Sequence, residues 1–205
     1  MGVNCCAGGC HGSAEGTARF RKALWVALAI NAAMFVVEVV AGLAAGSSSL
    51  QADALDFLGD AANYALSLLV LGMALRHRAA ASLVKGATMG AFGLWVVGST
   101  IHHALVGTVP EAEVMGGVGV AALVANAVVA SLLYAFREGD SNMRSVWICS
   151  RNDVIGNLAV LGAASGVFAT GAGWPDFAVA GIMAALALSG AYQVLRHALA
   201  ERRLG

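Results

Sequence analysis

Apolar segments long enough to cross a bilayer recur along the chain, broken by short polar stretches. About 20 such residues span the hydrocarbon core as a helix. The pattern predicts helices over 23–45, 50–75, 89–106, 114–136, 145–170 and 177–195. Two of these carry polar positions at helical spacing. In the second, Asp53, Asp56, Asp60 and Asn63 are three, four and three residues apart, which places them on one face. In the fifth, Cys149, Asp153 and Asn157 follow one another at intervals of four. An ionisable side chain at membrane depth costs about 2.5–3.5 kcal/mol on insertion scales and marks an ion site or pathway by default.

Composition agrees with the membrane reading. The 205 residues are 59% hydrophobic and 12% charged, about half the charge fraction of a soluble domain, and mean hydropathy is +0.77. The fold class expected is all-α, a polytopic membrane protein with six transmembrane helices. The 26 glycines suit close helix packing through small residues. Zero net charge, with no basic block, argues against nucleic acid as a partner. Residues 1–18 lack the apolar core of a signal peptide.

Charge placement orients the bundle. Of twelve Lys and Arg, all but Arg151 fall in the N-terminal tail, the second and fourth loops, or the C-terminal tail. The remaining loops hold Glu111, Glu113 and Asp176 and no basic residue. By the positive-inside rule both termini are cytoplasmic, in a plasma membrane of bacterial inner-membrane type. Residues 1–18 form a flexible tail, 19–200 the membrane domain and 201–205 a short C-terminus, with no soluble C-terminal domain expected. In the tail, Cys5, Cys6, Cys10 and His11 offer soft ligands for accessory metal capture, although their spacing matches no zinc-finger pattern. His102 and His103 near the end of the third helix read as interfacial rather than metal-binding.

The two stripes together describe a site. Antiparallel packing of helices two and five sets Asp56 level with Asp153 and Asp60 level with Cys149. Two side chains at i and i+4 on each of two helices make a roughly tetrahedral cage. Oxygen and thiolate donors in that geometry suit Zn²⁺ or Cd²⁺, and Co²⁺ less specifically; Mg²⁺ and Ca²⁺ want more oxygens and no sulfur. On the fifth helix a second pairing stays open, Asp153 with Asn157, with Cys149 packing only. Clustered carboxylates in a low dielectric resist simultaneous ionisation, and an arriving dication displaces protons from its ligands. A site that holds either metal or protons, open alternately to each side, is an antiporter. Asp53, Glu38, Asn157 and Arg151 are candidates for supporting positions or a proton path. Arg151 is expected to pair with Asp153 or Glu38, or to reach the cytoplasmic face.

The segment from Ser49 to Asp60, with Ala52-Asp53-Ala54 followed by Asp56 and Asp60, resembles the second-helix motif of the cation diffusion facilitator family. Cys149-Ser150-Arg151-Asn152-Asp153 resembles its fifth-helix motif, His or Asp, three residues, then Asp. Asn126 in helix four and the polar residue in helix one also fit, and the resemblance covers about 23–195. It implies metal ligands at Asp56, Asp60, Cys149 and Asp153, a homodimer, Zn²⁺-type substrates with Cd²⁺, Co²⁺ or Ni²⁺ in range, and proton antiport. No permanently bound cofactor is implied: the metal and protons are cargo, and the lipid bilayer is the other partner. Cys149 stands where the family carries His or Asp, which tilts selectivity toward softer ions.

Two other classes compete. A metal-binding scaffold without transport would use the tail cysteines and be indifferent to Asp60. An intramembrane aspartyl protease needs two aspartates as acid and base; Gly59-Asp60 is faintly similar to its motif, but Phe57-Leu58 precedes Gly59 so the double-glycine form is absent, and its Tyr-Asp partner is missing at Asn152-Asp153.

Overall fold

Long uninterrupted apolar stretches without internal proline leave the backbone one way to satisfy its own polar groups, the α-helix. In the computed structural model, which describes residues 14–69, 75–138 and 141–204, every element is helical. In chain order they are α1 (Ala14–Ala45), α2 (Ser48–Leu69), α3 (Leu75–Val106), α4 (Ala112–Tyr134), α5 (Ser141–Thr170) and α6 (Trp174–Leu204). Five are long and apolar enough to cross a membrane. The other is α2, whose 22 residues include Gln51 and three aspartates.

Helix α2 solves that difficulty by position. It packs substantially against α1, α3, α5 and α6, more neighbours than any other helix has. The largest helix pairs are α3 with α6, α1 with α2, and α4 with α5. The outer surface is apolar: Trp25, Val40, Leu94, Trp95, Ile155, Phe168 and Leu186 are all exposed, as lipid-facing side chains are. Two apolar clusters fill the interior. One holds Leu50, Leu55, Val96, Met115, Val160 and Met183; the other holds Phe20, Leu24, Tyr64, Val129 and Leu133. Along α2, Asp56 and Asp60 fall between them.

The helices that run to one end of the bundle stop on glycine. Gly46, Gly107 and Gly171 close α1, α3 and α5 with φ of 64°, 76° and 63°, a conformation open to glycine at no steric cost. After α1 the Ser47 amide reaches back to the Gly42 carbonyl at 2.9 Å, the bond of a Schellman cap. Ser47 then caps α2, its Oγ accepting from the Leu50 amide at 3.2 Å. Across this end lies Asp176, in the first turn of α6 and fully buried. Its Oδ1 accepts from Ser47 Oγ at 2.7 Å, from the Ser49 amide at 3.0 Å and from Ser49 Oγ at 2.6 Å. Its Oδ2 accepts from the Ser48 amide at 2.7 Å. A carboxylate of α6 thus sits at the positive N-terminal end of α2 and fixes its entry. Ser48 Oγ lies 3.3 Å from His103 Nδ1, tying in α3.

The same end shows one very close backbone approach. A Cβ built on Gly173 would collide with the Thr108 carbonyl oxygen. Gly173→Ala is therefore expected to cost about 1–3 kcal/mol as overpacking, read as a lower unfolding midpoint in detergent, whereas Gly117→Ala, which meets nothing within 4 Å, should leave it unchanged.

Several sequence expectations change: residues 14–18, expected in a flexible tail, open α1, and residues 141–144, expected in a loop, open α5. The basic stretch from Arg76 to Lys85, read as a loop, is helical, and α3 begins at Leu75 rather than near 89. Its Arg, Lys, Leu and Ala are good helix formers, and charged side chains at the membrane boundary leave the backbone free to continue. For the same reason α6 runs past Arg196 to Leu204. Asp176, read as part of a turn, lies within α6. Cys5, Cys6, Cys10 and His11 lie outside the described residues.

Candidate metal site between helices two and five

Helix α2 presents its polar face to α5, and the two run antiparallel. Asn157 Nδ2 donates to Asp53 Oδ2 at 2.6 Å near one end, and the Tyr64 hydroxyl lies 2.7 Å from Ser150 Oγ near the other. Between these contacts the carboxyls of Asp60 and Asp153 come within hydrogen-bonding reach of each other. Asp56 interacts electrostatically with both, and its Oδ2 lies against Gly156. The expected levels shift accordingly: Asp60, rather than Asp56, makes the close approach to Asp153. The Cys149 side chain lies outside the described residues, so its approach to Asp60 is not defined.

Hydrogen bonding within the cluster is incomplete. Asp60 Oδ2 accepts from the Tyr64 hydroxyl at 2.6 Å. Asp153 Oδ2 is buried and has no partner. A buried acceptor without a donor costs about 1–3 kcal/mol, a cost that a bound cation or a proton shared with Asp60 would relieve. On the flank, Lys85 Nζ of α3 donates to Asn63 Oδ1 and acts on Asp60 electrostatically. Among the described residues, no three His, Cys, Asp or Glu side chains converge tightly enough to enclose a metal ion. The carboxyls line one face, but they do not by themselves form a closed cage.

A second polar chain runs alongside. Asn126 Nδ2 of α4 donates to Asn157 Oδ1 at 2.9 Å, and Asn157 donates in turn to Asp53. Asp53 lies beside Glu38 of α1, which is fully buried and receives no N–H or hydroxyl donor at either oxygen. Four helices are thereby linked through one line of buried polar groups. Asn31, two turns earlier on the same face of α1, donates to the Ala27 carbonyl at 2.8 Å.

Arg151 is exposed, with its guanidinium 5.4 Å from the Trp147 ring centroid. His102 is exposed and its ring lies 5.9 Å from that of His103. Reasoning from sequence missed Tyr64 and Ser150. Both had a signal, since Tyr64 extends the α2 stripe four residues beyond Asp60 and Ser150 precedes Asp153 by three.

An apolar exterior, six packed helices and a buried stripe of carboxyls define an integral membrane protein built to handle cations. Residues 24–201 match the family model of the cation efflux transmembrane domain. The chain belongs to the cation efflux, or cation diffusion facilitator, family and is a cation transporter rather than an enzyme. No curated protein matches it.

Proposed function

We propose that the chain exports a divalent heavy-metal cation, Zn²⁺ or Cd²⁺ with Co²⁺ and Ni²⁺ in range, from the cytoplasm in exchange for protons. The ligands are Asp56, Asp60 and Asp153 with Cys149 as the fourth. The observation that carries this reading is the buried, donorless Asp153 Oδ2 beside Asp60 and Asp56. A dication at that point satisfies the orphan oxygen and neutralises the cluster, and four oxygen and sulfur donors suit tetrahedral coordination. Glu38 and Asp53 support the proton half of the cycle. Two facing carboxyls with no other donor between them are a place where a proton can bridge.

Direction follows from charge. Basic residues gather at the end away from the three glycine caps, which makes that end cytoplasmic, in a bacterial inner membrane. An inward proton gradient then drives metal outward. The transporter works as a homodimer joined through its membrane helices, and the N-terminal cysteines with His11 supply accessory capture of metal.

Calorimetric titration of the detergent-solubilised protein with Zn²⁺, in two buffers of different ionisation enthalpy, tests the site. The expected result is a binding event that releases protons and is lost in Asp60→Ala. Binding without proton release, or unchanged in that variant, would remove the basis for exchange. Cys149→Ser should weaken Cd²⁺ more than Zn²⁺, by about 10–100-fold, at least the size of losses seen when outer partners of metal ligands are removed. A Cd²⁺ affinity unchanged from the wild type in that variant would exclude the thiol as a ligand.

A further inference from the structure

Tyr64 lies on α2 and is 1% exposed. Its ring packs in the cluster with Phe20, Leu24, Val129 and Leu133, so the hydroxyl has one direction to face. That direction holds two oxygens, Asp60 Oδ2 at 2.6 Å and Ser150 Oγ at 2.7 Å. A phenol has a single proton. Asp60 Oδ2 accepts it, so the Ser150 hydroxyl must donate into the phenol oxygen. The result is a directed chain from Ser150 through Tyr64 to Asp60, anchored on α5 and pointing at one carboxyl oxygen.

A buried tyrosine needs only one partner for its hydroxyl, and Ser150 alone would serve. The second contact has a consequence for Asp60: Oδ2 is engaged by Tyr64, while the carboxyl also lies within reach of Asn63 and of Asp153, whose Oδ2 has no donor. Carboxylates that bind through both oxygens help fill the six- to eight-coordinate shells of larger, harder cations, whereas tetrahedral sites take one oxygen from each. We propose that Tyr64 is a positioning residue that sets cation selectivity, holding Asp60 to a single free oxygen so that the site favours a four-coordinate ion over a six-coordinate one. This rests on the reading of Asp60 as a ligand.

Zn²⁺ and Mn²⁺ separate the two coordination preferences, because Mn²⁺ suits octahedral oxygen sites. Uptake of each ion into proteoliposomes under the same pH gradient is compared for the wild type, Tyr64→Phe, Ser150→Ala and Asp60→Ala, with unfolding midpoints measured alongside. Removing a hydrogen bond to a carboxylate is worth about tenfold in an equilibrium. Tyr64→Phe is therefore expected to raise the KM for Zn²⁺ and to lower the Zn²⁺-over-Mn²⁺ preference by about tenfold, with kcat less affected. Ser150→Ala, which keeps the Tyr64–Asp60 bond, should move the preference the same way by a smaller factor. An unchanged preference in Tyr64→Phe, while Asp60→Ala abolishes flux, overturns the role of Tyr64 and leaves the site reading standing. If Tyr64→Phe does not fold, an unchanged preference in Ser150→Ala overturns it instead. Normal flux in Asp60→Ala removes the ligand reading itself, and the selectivity argument with it.

Discussion

Asp176→Ala is expected to lower the stability of the folded protein by at least about 4 kcal/mol, from the roughly 1–3 kcal/mol cost of each buried donor left without an acceptor. The substitution strands the Ser48 and Ser49 amides and leaves the Ser47 and Ser49 hydroxyls only each other, 3.4 Å apart, all in residues with no exposure. It also removes the negative charge from the N-terminal end of α2, where such a charge is favourable. Asp176→Asn gives a finer comparison. Its carbonyl can keep the three bonds made to Oδ1, while its amide group would face the Ser48 N–H as donor to donor. The expected loss is about half as large. Denaturant titration in detergent micelles reads both, and a loss below about 1 kcal/mol for Asp176→Ala would mean that the helix start is held by other contacts. Because α2 carries Asp56 and Asp60, loosening its start should also broaden the site.

The second large effect concerns transport. Asp60→Ala should reduce metal flux by more than about 100-fold, since losing an outer partner of a ligand already costs 10–100-fold and this substitution removes a proposed ligand. Asp153→Ala should do the same, while Asp53→Asn should cost less, because that side chain hydrogen-bonds with Asn157 and lies beside Glu38, and acts on Asp56 and Asp153 only electrostatically. Flux of radioactive or fluorescent-reported Zn²⁺ into proteoliposomes separates the three. Equal losses at Asp53 and Asp60 would place Asp53 among the ligands. Folding of each variant is checked by its elution profile, so that absent flux is not mistaken for absent protein.

Much of this arrangement was legible in the sequence, for a physical reason. A carboxylate in an apolar run is so costly in lipid that its presence alone identifies an interior face, and helical spacing then says which residues share it. That logic found α2, its pairing with α5, and the polar positions Glu38, Asn126 and Asn157. It failed where information is not local. Asp176 is 127 to 129 residues distant in sequence from the serines it caps, and nothing near it announces a buried anion. The register of α2 against α5 was also out of reach to within a turn. Spacing of four on each helix allows several alignments, and the Tyr64–Ser150 and Asp53–Asn157 contacts select among them. Helix limits failed at Leu75 and Leu204 because hydropathy reports where lipid ends, whereas a helix of Arg, Lys and Ala continues beyond it.

The most direct test of the account is Zn²⁺ flux through the purified wild-type protein in liposomes, with a pH difference imposed across the membrane and then collapsed by an ionophore. Metal–proton exchange at Asp60 requires flux that runs against the proton gradient, stops when the gradient is collapsed and is absent in Asp60→Ala. Flux that is indifferent to the pH difference and survives in Asp60→Ala would contradict it, and the stripe of carboxyls on α2 would then have to be explained by helix packing alone.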